Sequence, residues 1–226
     1  KRLIATRLIL SVAIVAVVHL FAPRFTLMAM MLLSLDYWTI VANAINKPLE
    51  QAITRWYYND AKRILRSMPH LKIIGITGSF GKTSTKHFLY RILSERYNVL
   101  MTPGNFNTTL GVVRTVREHL KPHHEVFIVE MGAKQLGDIK EICDLVNPEM
   151  AIITSVGEMH LETFGSVENV ARTKFELIDA LPEGGLGVVN IDSEAAKNYI
   201  KERGYDVATY AVECEEADYR ASNIQY

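Results

Sequence analysis

Two cysteines, Cys143 and Cys214, are all that 226 residues hold. That is too few for a disulfide framework and fits a reducing compartment. Net charge is missing too: 25 Lys and Arg balance 25 Asp and Glu, which excludes a generally basic nucleic-acid binder. No internal repeat or low-complexity stretch interrupts the chain. Neither a G-x-S-x-G elbow nor an H-E-x-x-H pair occurs, so nothing points to a serine-hydrolase or zincin centre. A composition of 49% hydrophobic and 22% charged residues is that of a folded chain, and the length suffices for one to two domains with a sizeable core.

The zero net charge conceals an asymmetry. Residues 1–70 carry nine Lys or Arg against three acids, an excess of six positive charges, and residues 71–226 carry an equal negative excess. From Leu8 to Ala22 the chain is uncharged and almost wholly apolar, and Phe25–Asn46 is a second apolar run interrupted by Asp36. Pro23-Arg24 breaks the two. Extended back to Leu3, the first run approaches the ~20 residues that span hydrocarbon. Basic residues flank both runs, at Lys1, Arg2 and Arg7 before and at Lys47, Arg55, Lys62, Arg63 and Arg66 after. This predicts a membrane helical hairpin over 1–46 with both ends on the cytoplasmic side. A cleaved signal peptide, a buried soluble helix and an in-plane second helix are the competing readings. Residues 47–70 read as an amphipathic basic linker helix that Pro69 ends, with Trp56, Tyr57 and Tyr58 suited to an interface.

Beyond Pro69 the pattern changes. Apolar runs of strand length occur at Leu71–Ile76, Val99–Met101, Val126–Met131, Met150–Thr154, Gly187–Ile191 and Val207–Ala211. Helical stretches fall between them, at Lys82–Arg96, 108–120, 137–146, 167–181 and 193–203. Such alternation predicts an α/β domain over 71–226 with a mainly parallel sheet flanked by helices.

The strongest local signal is T-G-S-F-G-K-T-S at 77–84, between a predicted strand and a predicted helix. That is the context of a phosphate-binding loop. Gly78 and Gly81 would let backbone N–H groups turn toward phosphate oxygens at the helix N-terminus. Lys82 would neutralise the β- and γ-phosphates, and the Thr83 hydroxyl would bind Mg²⁺. The glycine expected five residues before Gly81 is replaced by Ile76, so the general motif is not met literally, and a glycine-rich turn without ligand is the competing reading.

Glu130 ends the run V-F-I-V-E. A carboxylate at the carboxyl edge of a parallel strand faces the crevice where ligands bind, so it could hold Mg²⁺; a solvated strand-end acid is the alternative. His160 follows the strand A-I-I-T-S in a loop with Glu158 and Glu162, a possible metal ligand or an ordinary surface histidine. Lys174, on a helical stretch, reads by default as a solvated side chain.

Five blocks in order resemble the Mur ligase family of ATP-dependent amide-bond enzymes: T-G-S-F-G-K-T-S, T-P-G-N-F-N-T-T-L-G at 102–111, V-E-M-G-A-K-Q-L-G-D-I at 129–139, H-L-E-T-F-G-S at 160–166 and A-R-T-K-F-E-L at 171–177. They are most similar to the MurF type, which adds D-alanyl-D-alanine to UDP-MurNAc-tripeptide in peptidoglycan synthesis. The family's T-G-x-x-G-K-T loop accounts for the glycine spacing. The resemblance implies ATP binding by Thr77, Gly78, Ser79, Gly81, Lys82, Thr83, Ser84, Asn105, Asn107, Asn190 and Asp192. It implies magnesium held by Thr83, Glu130 and His160, with Lys174 joining them if carbamylated, and catalysis through Lys82, Lys174 and His160. Thr108 stands where the family often has a further asparagine.

The activity so implied is a carboxylate–amine ligation through an acyl phosphate, with a UDP-MurNAc-peptide-like acid and an amino acid or dipeptide as substrates, ATP and Mg²⁺ as cofactors, and no nucleic acid. The place implied is the cytoplasmic face of a bacterial inner membrane, with lipid contact through 1–46. A C-terminal domain bringing the amine is expected outside these residues. A folylpolyglutamate-like ligase and a membrane-tethered ATP-binding subunit remain the alternatives.

Overall fold

Six consecutive residues, K-I-I-G-I-T, form β1 (Lys72–Thr77), and all but the first are buried. A strand apolar on both faces belongs inside a sheet covered on both sides, and β1 lies between two parallel neighbours, β3 (Val126–Glu130) and β4 (Met150–Ile153). β2 (Val99–Met101) extends the sheet beyond β3. On the other side β5 (Leu186–Asn190), β6 (Ala208–Ala211) and β7 (Tyr219–Arg220) follow β4. The result is a seven-stranded sheet of order β2-β3-β1-β4-β5-β6-β7, parallel throughout. The computed structural model describes residues 2–21, 25–157 and 161–223.

The connecting helices are α3 (Lys82–Leu93), α4 (Thr109–His119), α5 (Asp138–Val146), α6 (Leu161–Phe164), α7 (Val167–Asp179) and α8 (Glu194–Arg203). The larger core unites Phe127, Val129 and Ile153 of the sheet with Val112, Ile142, Phe175, Leu177 and Tyr199 of the helices. A smaller one packs Ile74, Ile76 and Ile128 against Leu89, Tyr90 and Leu93. The expected α/β domain is therefore present.

Local chemistry starts several helices. Ser166 caps α7 by accepting from the Asn169 N–H, and Ser193 caps α8 by accepting from Ala196. Thr108, the departure from the family's asparagine, caps α4 by accepting from Gly111. Each cap satisfies an amide that helix geometry leaves without a partner.

The chain divides into two compact units, residues 1–56 and 57–226. The first holds α1 (Arg2–Phe21) and most of α2 (Thr26–Arg66). α2 is one helix of 41 residues with Pro48 inside it, so the division expected between 46 and 47 falls within a continuous helix. The hydroxyls of Ser11 and Tyr37 lie 3.4 Å apart, and His19 Nδ1 lies 3.1 Å from Thr26 Oγ1. Among the described residues no helix is long and apolar enough to cross a membrane. This corrects the transmembrane hairpin expected of 1–46. The uncharged stretch of α1, from Leu8 to its end at Phe21, is shorter than the ~20 residues hydrocarbon requires, and Asp36 interrupts the apolar run of α2.

The end of α2 belongs to the second unit. Ala61 and Leu65 are buried in its larger core, with Met68 just beyond. Arg117 of α4 donates to Asp60 at 2.9 Å and lies 4.2 Å from the Tyr57 ring centroid. Lys62 donates to the Asp144 carbonyl at 2.6 Å. Basic residues that looked suited to a lipid surface thus serve intramolecular contacts in part.

Candidate active site

Parallel pairing aligns Ile76 with Glu130 and Thr77 with Ile153. The loops that follow β1, β3 and β4 therefore emerge together at the carboxyl edge of the sheet, where open α/β folds bind ligands. Residues 78–81 join β1 to α3. Gly81 precedes α3 at φ 80°, in the left-handed region, and no side chain caps this helix. Its first N–H groups are left for an anion. At Gly78 a Cβ would collide with the Thr154 hydroxyl.

That close approach is part of a strap between the loop and residues 154–157. Ser79 N donates to Ser155 O at 2.9 Å, Phe80 N to Ser155 Oγ at 2.7 Å and Thr154 Oγ1 to Phe80 O at 2.5 Å. The Ser79 hydroxyl engages both the N–H and the carbonyl of Gly157. Thr77 Oγ1 donates to Met131 O at 3.0 Å. The side chains of Thr77 and Ser79 are thus occupied in shaping the loop, and that of Ser84 is exposed. Lys82 folds back, donating to Gly78 O at 2.7 Å and Ser79 O at 3.3 Å. Burial pulls its pKa below the usual lysine value, against the opposing pull of the Glu130 charge.

Glu130 is the centre of the site. It is 2% exposed, and Thr83 Oγ1 lies 3.1 Å from each of its carboxylate oxygens. Asn107 Nδ2 donates to Oε1 at 3.3 Å, and Lys86 pairs with Oε2 at 2.9 Å. Asn107 is placed by the Gly132 N–H, which donates to its carbonyl at 2.7 Å. Asn105 lies exposed in the same loop. The Thr83 hydroxyl and the Glu130 carboxylate form a hard-oxygen pair beside the phosphate loop. Magnesium at such loops takes one or two protein oxygens and fills its remaining positions with phosphate and water, so the residues present fit that ion. Among the described residues no group of three or more His, Cys, Asp or Glu converges. His160 and Glu158 lie outside the described residues, and Glu162 is exposed on α6.

Lys174, expected as a solvated helical lysine on its own residues, is 7% exposed. Burial first, and the charge of Lys82 second, push its pKa down to about 8. Two residues on, Glu176 accepts from the N–H groups of Gly137 and Lys140 at 2.7 and 2.9 Å, placing a carboxylate at the N-terminus of α5, where the helix dipole favours it. The A-R-T-K-F-E-L block thus both presents Lys174 and docks α7 on α5.

Asn190 and Asp192 lie apart from this cluster in their contacts. Asp192 accepts from the N–H groups of Val212, Glu213 and Cys214 at 2.8 to 3.1 Å, and the Asn190 amide donates to it at 3.1 Å. Desolvation works to raise the Asp192 pKa, but these four donors outweigh it and hold it at about 2. Cys143 is buried, and burial lifts its thiol to about 12, which makes it unreactive.

Sequence reasoning missed Lys86, Thr154 and Ser155. Lys86 lies four residues after Lys82 and three after Thr83 on one helical face, but that spacing carries no sign of its burial.

A glycine loop opening an uncapped helix, with a lysine, a hydroxyl and a strand-end carboxylate around it, defines a P-loop nucleotide-binding domain on a parallel sheet. The Mur ligase middle domain profile matches residues 76–226, and the chain belongs to the Mur ligase family. It is 32% identical over 189 residues to the UDP-N-acetylmuramoyl-tripeptide--D-alanyl-D-alanine ligase of Escherichia coli (strain K12), covering 82% of this chain and 42% of that protein. To the Bacillus subtilis (strain 168) protein of the same name it is 38% identical over 127 residues, 56% of this chain and 28% of that protein. A crystal structure of MurF from Acinetobacter baumannii superposes with a TM-score of 0.68 at 29% identity, covering 75% of this chain and 37% of the other. The MurF ligase from Thermotoga maritima in complex with ADP gives 0.65 at 31%, covering 71% and 37%. The chain spans less than half the length of these relatives.

Proposed function

We propose that this chain provides the ATP-binding centre of a carboxylate–amine ligase that joins D-alanyl-D-alanine to UDP-MurNAc-tripeptide. The observation that carries this reading is the meeting of Thr83, from the phosphate-loop helix, and Asn107, from the 102–111 loop, on the buried Glu130 carboxylate. Within a family of ATP-dependent ligases, this joins the triphosphate loop to a cation site and to a loop able to reach the γ-phosphate.

In the proposed reaction a carboxylate oxygen of the acid substrate attacks the γ-phosphorus of ATP, and the bond to the β–γ bridging oxygen breaks. ADP leaves, and an acyl phosphate remains. Lys82 turns from the Gly78 carbonyl onto the β- and γ-phosphate oxygens, and the α3 N–H groups cradle them. Thr83 and Glu130 would hold Mg²⁺, with His160 and a carbamylated Lys174 completing the ligands. The chemistry such an ion would supply there is neutralisation of negative charge on the transferring phosphoryl oxygens. Asn105 and Asn107 approach the γ-phosphate, and Asn190 and Asp192 border the nucleotide. The amine then attacks the acyl carbon and loses a proton, and phosphate departs as the amide forms. Lys174 supports its assignment by being buried with a depressed pKa, since a neutral amine is the form that adds CO₂. Among the described residues nothing supports lipid contact by α1 and α2, and the reaction requires none.

The test is ADP release by the full protein with Mg²⁺, UDP-MurNAc-tripeptide and D-alanyl-D-alanine. Release should require both substrates, with the peptide-bonded product seen by mass spectrometry. Turnover of ATP that ignores both substrates would refute the ligase reading.

A further inference from the structure

Lys86 is 0% exposed, and among the described residues its ammonium is held by two groups: the Glu130 Oε2 atom at 2.9 Å and the Gly104 carbonyl at 2.7 Å. With Asn107 on Oε1 and the Thr83 hydroxyl near both oxygens, Glu130 already has three donors around it before any cation arrives. A buried carboxylate without such a partner would bear a heavy desolvation cost. The two lysines on this face of α3 differ in freedom. Lys82 is half-buried and rests on loop carbonyls, so it can move onto phosphate. Lys86 is enclosed and cannot withdraw.

A divalent cation approaching Glu130 must therefore enter the field of a fixed positive charge at close range, where repulsion in a partly desolvated site is strong. Nucleotide phosphates change the balance, because their negative charge offsets both lysines. We propose that Lys86 is a resident counter-cation for Glu130 that suppresses metal binding until the nucleotide is present. The inference rests on Glu130 being a metal ligand.

The experiment is Mn²⁺ binding followed by the paramagnetic resonance of the free ion, on the full protein, with and without a non-hydrolysable ATP analogue. Wild type should bind Mn²⁺ at least about tenfold more tightly with the analogue. Lys86→Met should tighten nucleotide-free binding by about tenfold or more and raise the melting temperature selectively when Mn²⁺ is added. Unchanged or weaker nucleotide-free binding in that variant overturns the proposal, because a purely structural lysine would not hold the metal off. If Lys86→Met does not fold, Lys86→Gln, which keeps a donor for Gly104 and removes the charge, must show the same tightening. Wild type binding Mn²⁺ equally well without nucleotide also overturns it, with no variant needed. Glu130→Gln separates the two readings: undiminished Mn²⁺ binding with the analogue would remove Glu130 as a ligand, whereas loss there beside an unchanged Lys86→Met refutes the role of Lys86 alone.

Discussion

The charge of Lys82, at the start of α3, reaches Lys174 on α7 and adds to the effect of burial in holding that amine at about 8. An ordinary lysine titrates near ~10.4. Lys174 is therefore neutral in a sizeable fraction of molecules at mildly alkaline pH, the state able to add CO₂. With ¹³C-bicarbonate, wild type should give a carbamate resonance that grows as pH rises through about 8 at constant dissolved CO₂, and Lys174→Arg should give none. Activity lost in Lys174→Ala should return in part with short-chain carboxylic acids. Absence of the resonance at every pH would remove the carbamate. The stability sign follows from the same shift. The folded state binds this proton less tightly than the unfolded chain, so the cost of burying the ammonium is full below about 8 and fades toward ~10.4. Lys174→Met should flatten the rise in stability across that window.

Lys82 bonds to the Gly78 and Ser79 carbonyls, contacts it can exchange for phosphate oxygens at little cost to the loop. Lys82→Ala should leave the melting temperature nearly unchanged and weaken ATP-analogue affinity by about tenfold or more, as loss of a charge-assisted contact does. Calorimetric titration checks this, and undiminished affinity would take Lys82 off the phosphates.

The legibility of this site in sequence follows its physics. The phosphate loop was readable because its glycines and lysine are tied to a strand–helix junction, and Glu130 because it ends a run of apolar residues. Every expected strand of the α/β domain forms, most plainly β1 and β3, whose apolar runs are buried along almost their whole length. Lys86 escaped because a lone lysine on a helix carries no mark of burial; its partners come from β3 and the 102–111 loop, and such convergence is tertiary. Lys174 was legible only through family resemblance. The length of α2 was obscured because the apolar run of its first half ends at Asn46, where the composition turns basic.

Asp192 carries a stability prediction of opposite sign. Its carboxylate, held at about 2 by backbone donors at 212–214, contributes stability present above the unfolded value of ~3.9 and lost as pH falls through the folded one. Its exposure limits the size, so Asp192→Ala should cost about 1 kcal/mol at neutral pH. Chemical denaturation at pH 7 and in the acid range should show the difference between variant and wild type vanish on acidification. A difference that persists at low pH would mean that packing, not the charge, holds the 212–214 segment.

Gly75 governs how closely α7 approaches β1. A Cβ there would stand 2.6 Å from Leu177 Cδ1 and 3.0 Å from Met131 Cε, both on fully buried side chains. Leu177 follows Lys174 by three residues on the same helix, so the glycine seats the segment that carries the buried lysine. Gly75→Val should overpack this contact and destabilise the domain by about 1–3 kcal/mol, with Gly75→Ala costing less. Because displacement of α7 admits water around Lys174, the ¹³C-carbamate resonance should also shift its pH midpoint upward, toward that of an exposed lysine. Denaturant midpoints measure the first effect and the resonance the second. If Gly75→Val were as stable as wild type, the close seat of α7 on β1 would not be what holds Lys174 in its desolvated position.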